Sequence, residues 1–208
     1  HEFALMDYAL LTALTHPDAA PSELDLLTDW YVWALFFERH ILEKYKRSRD
    51  LEGAKNYLTR LFSFMPIDLV SASPVPANSV ERGLADLWTR TAPRMSTDWR
   101  VHFSRSIQKL LEGSFWELSN INQNRVPSPI RYVEMRRKVG SAPWSADLVE
   151  YATYAEIQPE IAGRDGLSSS HQHGALDGVL ELGHVSRPPV PQQAVHRRRE
   201  TELVSLRL

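Results

Sequence analysis

One long apolar helix is the feature that most constrains the fold of this chain. Apolar side chains recur at helical spacing at Leu24, Leu27, Tyr31, Leu35, Ile41, Leu42 and Tyr45. Four large rings add bulk on nearly every side of the same segment, at Trp30, Trp33, Phe36 and Phe37. A helix that is apolar all round is buried, so we expect this one at the centre of a bundle. Ser22 and Asp25, after Pro21, predict a capping-box-like start.

The other periodic segments are also helical. They cover residues 51–64, 80–93, 96–120, 130–138 and 145–156, with a Pro-broken loop at 66–79 and a break at 139–143. Strand-like alternation is scarce. The predicted fold class is therefore all-α, as a bundle of about five to seven helices.

The chain has two unlike parts, 1–160 and 161–208. The first part holds all 20 Phe, Trp and Tyr residues and every Lys. The second part has none of these and is interrupted by Pro and Gly, so we expect it to be largely disordered. The abrupt change suggests reading-frame slippage in the gene, a hypothesis that the nucleotide sequence would test. His171 and His173 form an HxH pair, which in a polar tail is usually incidental.

Composition excludes several classes of function. Apolar residues make up 43% of the chain, charged residues 24%, and the net charge is −2, which gives no field for nucleic acid or an acidic membrane. The absence of Cys removes disulfides, thiolate metal sites and thiol nucleophiles. The first residues lack a basic n-region and a small-residue cleavage site, so we expect no signal peptide and a cytoplasmic location. The chain begins with His rather than Met, so it reads as a fragment.

Four blocks of the sequence point to one family. They are LLTDWYVWALFFERHILEKYKRSRD, GLADLWTRTAPRMSTDWR, WELSNINQNRV and YVEMRRKVGSAPWSADLVEYAT, in that order. Almost unbroken over residues 7–160, this part resembles bacterial class I terpene cyclases, most closely the N-terminal, cyclising half of the germacradienol/geosmin synthase type. Residues 161–208 show no such resemblance.

The resemblance implies a fold and an activity. The fold would be the class I terpenoid synthase helical bundle, incomplete here, around an aromatic-lined pocket. The substrate would be farnesyl diphosphate, held by three Mg²⁺ ions in the family, and the first product would be germacradienol. Diphosphate leaves readily only when hard cations meet its charge, and Mg²⁺ takes oxygen ligands. The resulting carbocation needs a water-free site, where ring faces stabilise it.

The family's first metal motif, Asp-Asp-His-Phe-Leu-Glu, corresponds here to the run Glu38-Arg39-His40-Ile41-Leu42-Glu43. The resemblance places Glu38 at the first ligand position, with Glu43 as a further candidate. Glu38 and Glu43 lie about 140° apart around an α-helix, so one ion would not bridge both cleanly. Arg39 puts a cation beside the proposed cation site. Without the resemblance, the same run would be read as a solvated helix end.

Candidate pocket residues lie on the same helix. Trp33, Phe36 and Phe37 are expected to line the pocket, although ordinary core packing explains each of them at least as well. Asn120 and Asn124, with Glu43, are further candidates for polar groups at the mouth of this pocket.

The family's diphosphate-sensing arginine stands four residues before a small effector residue, a spacing that Arg136 and Gly140 fit. Arg136 would pair with phosphate oxygens and Gly140 would offer a carbonyl where a Cβ would intrude. Arg137 is the alternative sensor. The alternative interpretation of the segment is a solvated basic run, RRK.

The second metal motif of the family is missing. Asn-Asp-x-x-Ser-x-x-x-Glu would fall near residues 181–190, where the chain reads ELGHVSRPPV. Fewer than three Mg²⁺ ions are therefore expected. The sequence leaves two functions open: an impaired Mg²⁺-dependent sesquiterpene cyclase, and a non-catalytic helical remnant or interaction module. Nucleic-acid and membrane partners are not expected, and the oligomeric state is undetermined.

Overall fold

The computed structural model describes residues 7–139 and 142–157 of the 208-residue chain. Seven α-helices lie in these ranges: α1 Tyr8–Thr15, α2 Pro21–Ile41, α3 Leu51–Leu61, α4 Ser79–Thr91, α5 Thr97–Asn122, α6 Pro129–Val139 and α7 Ala142–Thr153. A π-helical turn, Leu42–Lys46, continues α2, and 3₁₀ turns Phe62–Phe64 and Ala92–Arg94 continue α3 and α4. No strand occurs in the described residues, so the prediction of an all-α fold is confirmed.

The start of α2 differs from the prediction. Ala20 is the N-cap residue, Pro21 takes the first helical position, and no side chain caps the helix. The capping box predicted from Ser22 and Asp25 is therefore wrong, since Ser22 Oγ donates to its neighbour Glu23 at 3.1 Å instead. Proline serves at this position because its φ is already helical and the amide N–H that it lacks would have no partner there.

Helices α2 and α5 form the centre of the bundle. Helix α2 packs against α1, α4 and α7, whereas α5 packs against α3, α6 and α7. The Trp30 ring meets the Phe103 ring edge to face, with centroids 5.0 Å apart, and both side chains are fully buried. Trp30 Nε1 donates to Thr91 Oγ1 at 3.0 Å, so the one polar group of the ring is satisfied. The expectation that α2 is central is confirmed.

The sequence analysis missed one helix and placed another three residues too late. Helix α1 was not predicted because its short segment carries no strong period, and it packs on α2 through His16, whose Nε2 lies 3.3 Å from the Tyr31 hydroxyl. Helix α7 begins and ends three residues earlier than expected. The predicted boundary near residue 160 and the tail 161–208 lie outside the described residues. Within the described ranges, no helix is both long and apolar enough to cross a bilayer.

Candidate metal centre at the end of the central helix

Glu38 lies on the last turns of α2, where α2 faces α5. Its Oε1 accepts a hydrogen bond from Ser114 Oγ at 2.9 Å, and its Oε2 lies 3.5 Å from Lys46 Nζ. The side chain is 43% exposed. The carboxylate is therefore oriented by a hydroxyl on one oxygen and neutralised by a cation near the other, while solvent still reaches it.

Lys46 is the cation between two helices. Its Nζ lies 2.7 Å from Glu117 Oε2 on α5 as well as 3.5 Å from Glu38, and its side chain is only 9% exposed. The π turn explains this position. One α turn and one π turn together span roughly eight residues, so residue 46 returns to the face of residue 38. In an unbroken α-helix, residue 45 would come closer to that face.

Glu43 belongs to a different pair. Its Oε1 accepts from Arg39 Nε at 3.4 Å, and both side chains are more than half exposed. Exposed pairs of this kind contribute little to stability. Glu38 and Glu43 thus have separate partners, and the cation that contacts Glu38 is Lys46, which the sequence analysis did not single out.

The three aromatic candidates divide into two kinds. Trp33 and Phe37 are buried and stacked, with centroids 5.7 Å apart and planes 18° apart. Trp33 Nε1 donates to the Val80 carbonyl at 3.0 Å, which fixes the ring against α4. Phe36 is exposed on the helix surface. Their predicted role in lining a pocket stays a prediction.

The diphosphate-sensing candidates lie on α6. Arg136 is partly buried and Arg137 is exposed, while Gly140 lies outside the described residues. Of the two asparagines, Asn120 is buried and its Oδ1 accepts from Arg125 Nε at 2.8 Å. Asn124 is exposed, in a left-handed conformation with φ 47° just after α5.

Sequence reasoning missed three residues of this centre: Lys46, Ser114 and Glu117. Ser114 and Glu117 stand three residues apart on α5 and so share one helix face, a pattern visible in the sequence. Nothing local in the sequence joins that face to Glu38, which is 76 residues away from Ser114. The π turn that moves Lys46 has no recognised sequence signal either.

The donor set fits a hard divalent cation. Glu38, Glu117 and Ser114 offer carboxylate and hydroxyl oxygens, the ligands that Mg²⁺ takes. Both carboxylates already contact one positive charge, and Ser114 Oγ donates to Glu38. A divalent ion would have to displace the Lys46 ammonium or share the carboxylates with it. The residues described here suit one such ion.

The chain is an all-α bundle with a group of oxygen donors at the end of its central helix. Residues 29–170 match the family described as "Terpene synthase family 2, C-terminal metal binding". The chain belongs to this terpene synthase family. The sequence interpretation is confirmed at this level, whereas the germacradienol/geosmin type is not specifically supported.

Several proteins similar to this chain are named as synthases of terpenes. The chain is 28% identical over 159 residues to 10-epi-cubebol synthase of Sorangium cellulosum, covering 74% of this chain and 48% of the relative. It is 27% identical over 155 residues to pentalenene synthase of Streptomyces avermitilis, covering 74% and 44%. The fold matches germacradien-4-ol synthase of Streptomyces citricolor with a TM-score of 0.70 at 19% identity, over 84% of this chain and 55% of that one. The chain spans about half the length of these relatives.

Proposed function

We propose that this chain is part of a sesquiterpene cyclase that ionises farnesyl diphosphate with Mg²⁺ and forms germacradienol. The observation that carries the proposal is the pairing of Glu38 and Glu117 with one cation, Lys46, at the end of an aromatic helix, with Ser114 Oγ donating to Glu38, in a chain of the terpene synthase family. One relative supports the substrate: a (+)-T-muurolol synthase of Roseiflexus castenholzii, 27% identical over 158 residues, is named as farnesyl diphosphate cyclizing. The cytoplasmic location belongs to the same proposal.

The chemistry assigns a role to each residue. The carbon–oxygen bond of the allylic diphosphate breaks, the electron pair leaves with the diphosphate, and the hydrocarbon part becomes a carbocation. Bound Mg²⁺ would neutralise the leaving diphosphate. Glu38 would hold that ion with Glu117 and Ser114, and Glu43 is a more distant candidate ligand.

The remaining candidates act on the diphosphate and the cation. Arg136, or alternatively Arg137, would bind phosphate oxygens, because a guanidinium pairs with them in a bidentate way. Gly140 would provide the effector carbonyl. Trp33, Phe36 and Phe37 would exclude water and offer ring faces to the carbocation.

A second candidate function is a non-catalytic remnant of the family. The Lys46 ammonium favours it, because this group already pairs with both carboxylates that a metal would need.

A product assay tests the proposal. The purified chain is incubated with farnesyl diphosphate and Mg²⁺ in sealed vials, and volatiles are identified by gas chromatography–mass spectrometry. Germacradienol that is lost in Glu38→Gln and kept in Glu112→Gln, an exposed α5 control, is the expected result. Farnesol at the buffer-blank rate would refute cyclase activity of this chain, and another cyclic product would refute germacradienol alone.

A further inference from the structure

Three metal-ligating side chains meet away from Glu38, at the contact between α5 and α7. They are His102 on α5 and Asp147 and Glu150 on α7, and one potential ligand atom of each lies within 4.8 Å of the others. Asp147 and Glu150 are three residues apart and so share the helix face that packs on α5. Ser114 is 12 residues beyond His102 on α5, about 18 Å along the helix axis, so this cluster is separate from the Glu38 centre.

The cluster contains a buried carboxylate oxygen that no described residue satisfies. The Asp147 side chain is 2% exposed; its Oδ1 lies 2.9 Å from His102 Nδ1. Its Oδ2 is buried and has no hydrogen-bond partner within the described part of the chain. Leaving such an oxygen unpaired in the interior costs stability, because its hydration is lost and not replaced. The site therefore favours an additional positive partner.

Glu150 adds a second carboxylate with spare capacity. Its Oε2 accepts from the Ile157 backbone N–H at 3.2 Å, and among residues 7–139 and 142–157 its Oε1 accepts no hydrogen bond. Its side chain is buried beside Asp147, and two carboxylates in one desolvated site are more stable with a cation between them. His102 is 53% exposed, which gives an ion a route from solvent.

We propose that His102, Asp147 and Glu150 bind a divalent ion of the zinc type, with water completing the coordination. An imidazole nitrogen with two carboxylates suits Zn²⁺, whereas Mg²⁺ prefers oxygen ligands alone. Zn²⁺ bonds of about 2.1 Å would place tetrahedral ligand atoms roughly 3.4 Å apart. The side chains would have to close by up to about 1.4 Å from their present spread of up to 4.8 Å. His102 Nδ1 would exchange its hydrogen bond to Asp147 for the metal.

The ion would join two helices. Asp147 and Glu150 belong to α7 and His102 to α5, so one bound ion replaces a single His–Asp hydrogen bond by three bonds across the helix contact. Because the ion binds the folded chain and the ligands separate on unfolding, zinc is expected to raise the unfolding midpoint. This function is independent of the proposed cyclase activity.

Zinc titration of the full chain tests the proposal. The protein is prepared without a polyhistidine tag, and Zn²⁺ affinity is measured by competition with a chromophoric chelator. His102→Gln and Glu150→Gln are each expected to weaken binding about tenfold or more. Both variants keep a polar side chain of similar size, and their folding is checked by circular dichroism. Asp98→Asn, an exposed change on α5, is the matched control and should bind as the parent does.

Two further measurements identify the site that binds zinc. The double variant His171→Gln/His173→Gln removes the HxH pair of the tail and should retain the affinity. Co²⁺ in place of Zn²⁺ should give visible absorption bands that disappear in His102→Gln. Loss of binding in the tail variant, equal binding by His102→Gln and the parent, or Mg²⁺ competing as well as Zn²⁺ would each overturn the proposal.

Discussion

The buried histidine between α1 and α2 makes the stability of this chain depend on pH in a direction that can be calculated. His16 is 4% exposed, its Nε2 lies 3.3 Å from the Tyr31 hydroxyl, and its Nδ1 has no hydrogen-bond partner among the described residues. Burial lowers the pKa of His16 from 6.5 to about 4. An imidazolium here would lose its hydration without gaining a carboxylate, so the folded chain keeps the ring neutral.

The sign follows from proton counting. Between pH 6.5 and pH 4, the unfolded chain binds a proton on His16 that the folded chain does not bind. The free energy of unfolding therefore falls as the pH is lowered through 6.5, and the loss is complete below pH 4. A shift of this size corresponds to about 3 kcal/mol in total, of which about 2 kcal/mol appears between pH 7 and pH 5.

Urea unfolding of the parent and of His16→Gln at pH 7 and pH 5 measures this contribution. Glutamine keeps a polar partner for Tyr31 and does not titrate, so the parent should lose about 2 kcal/mol more than the variant over that interval. A parent–variant difference that is the same at both pH values within about 0.5 kcal/mol would refute the reasoning.

Glu150 provides a control of opposite sign. Burial raises the pKa of its carboxyl from 4.5 to about 7, so over this interval the folded chain binds the extra proton. The free energy of unfolding then rises as the pH falls from 7 towards 4.5. With a chelator present, Glu150→Gln should remove this gain. The parent curve alone contains both effects, which is why the difference between parent and variant is the quantity to compare.

Three other substitutions test the packing and the metal centre. Glu81→Gln should cost about 2 kcal/mol in urea unfolding, because the buried carboxylate accepts from Arg60 Nε at 3.2 Å and from the Ala77 amide at 2.7 Å; an unchanged midpoint would contradict this. Gly83→Ala should destabilise by about 1 kcal/mol despite better helix propensity, since the new Cβ would lie 3.0 Å from Trp33 Cδ1; a higher midpoint would show that the ring can shift. Lys46→Met should lower the midpoint, and millimolar Mg²⁺ should restore it more in the variant than in the parent.

The sequence predicted the fold better than the site. The helical period around Trp30 and Trp33 reflects burial on a long central helix. Such burial can be predicted from one segment, because it shows in the spacing of that segment's apolar side chains. The start of α2 was placed wrongly because Ser22 is a good N-cap residue in general, whereas Pro21 fixed the first helical position instead. The local apolar pattern therefore located α2. Its first residue depended on which of two helix-start signals, the Ser22 cap or Pro21, prevailed.

The candidate site depends on contacts that no local pattern contains. The pairing of Glu38 with Ser114 joins two helices distant in sequence, and a π turn of five residues brings Lys46 into contact with Glu38 and Glu117. His102 and Asp147 meet for the same reason, through the packing of α7 on α5. A resemblance to a family transfers the position of Glu38, but it does not show which cation stands beside that residue.

That cation decides between the two proposed functions. With Lys46 in place, Glu38 and Glu117 leave this group of three side chains with a net charge of −1, which repels diphosphate. One added Mg²⁺ changes the net charge to +1 and attracts it. A competent site should therefore bind inorganic diphosphate only together with Mg²⁺, and the unfolding midpoint should rise with both ligands by more than the sum of their separate effects. A remnant in which Lys46 holds the carboxylates permanently should show no such rise, whether or not its helices remain folded.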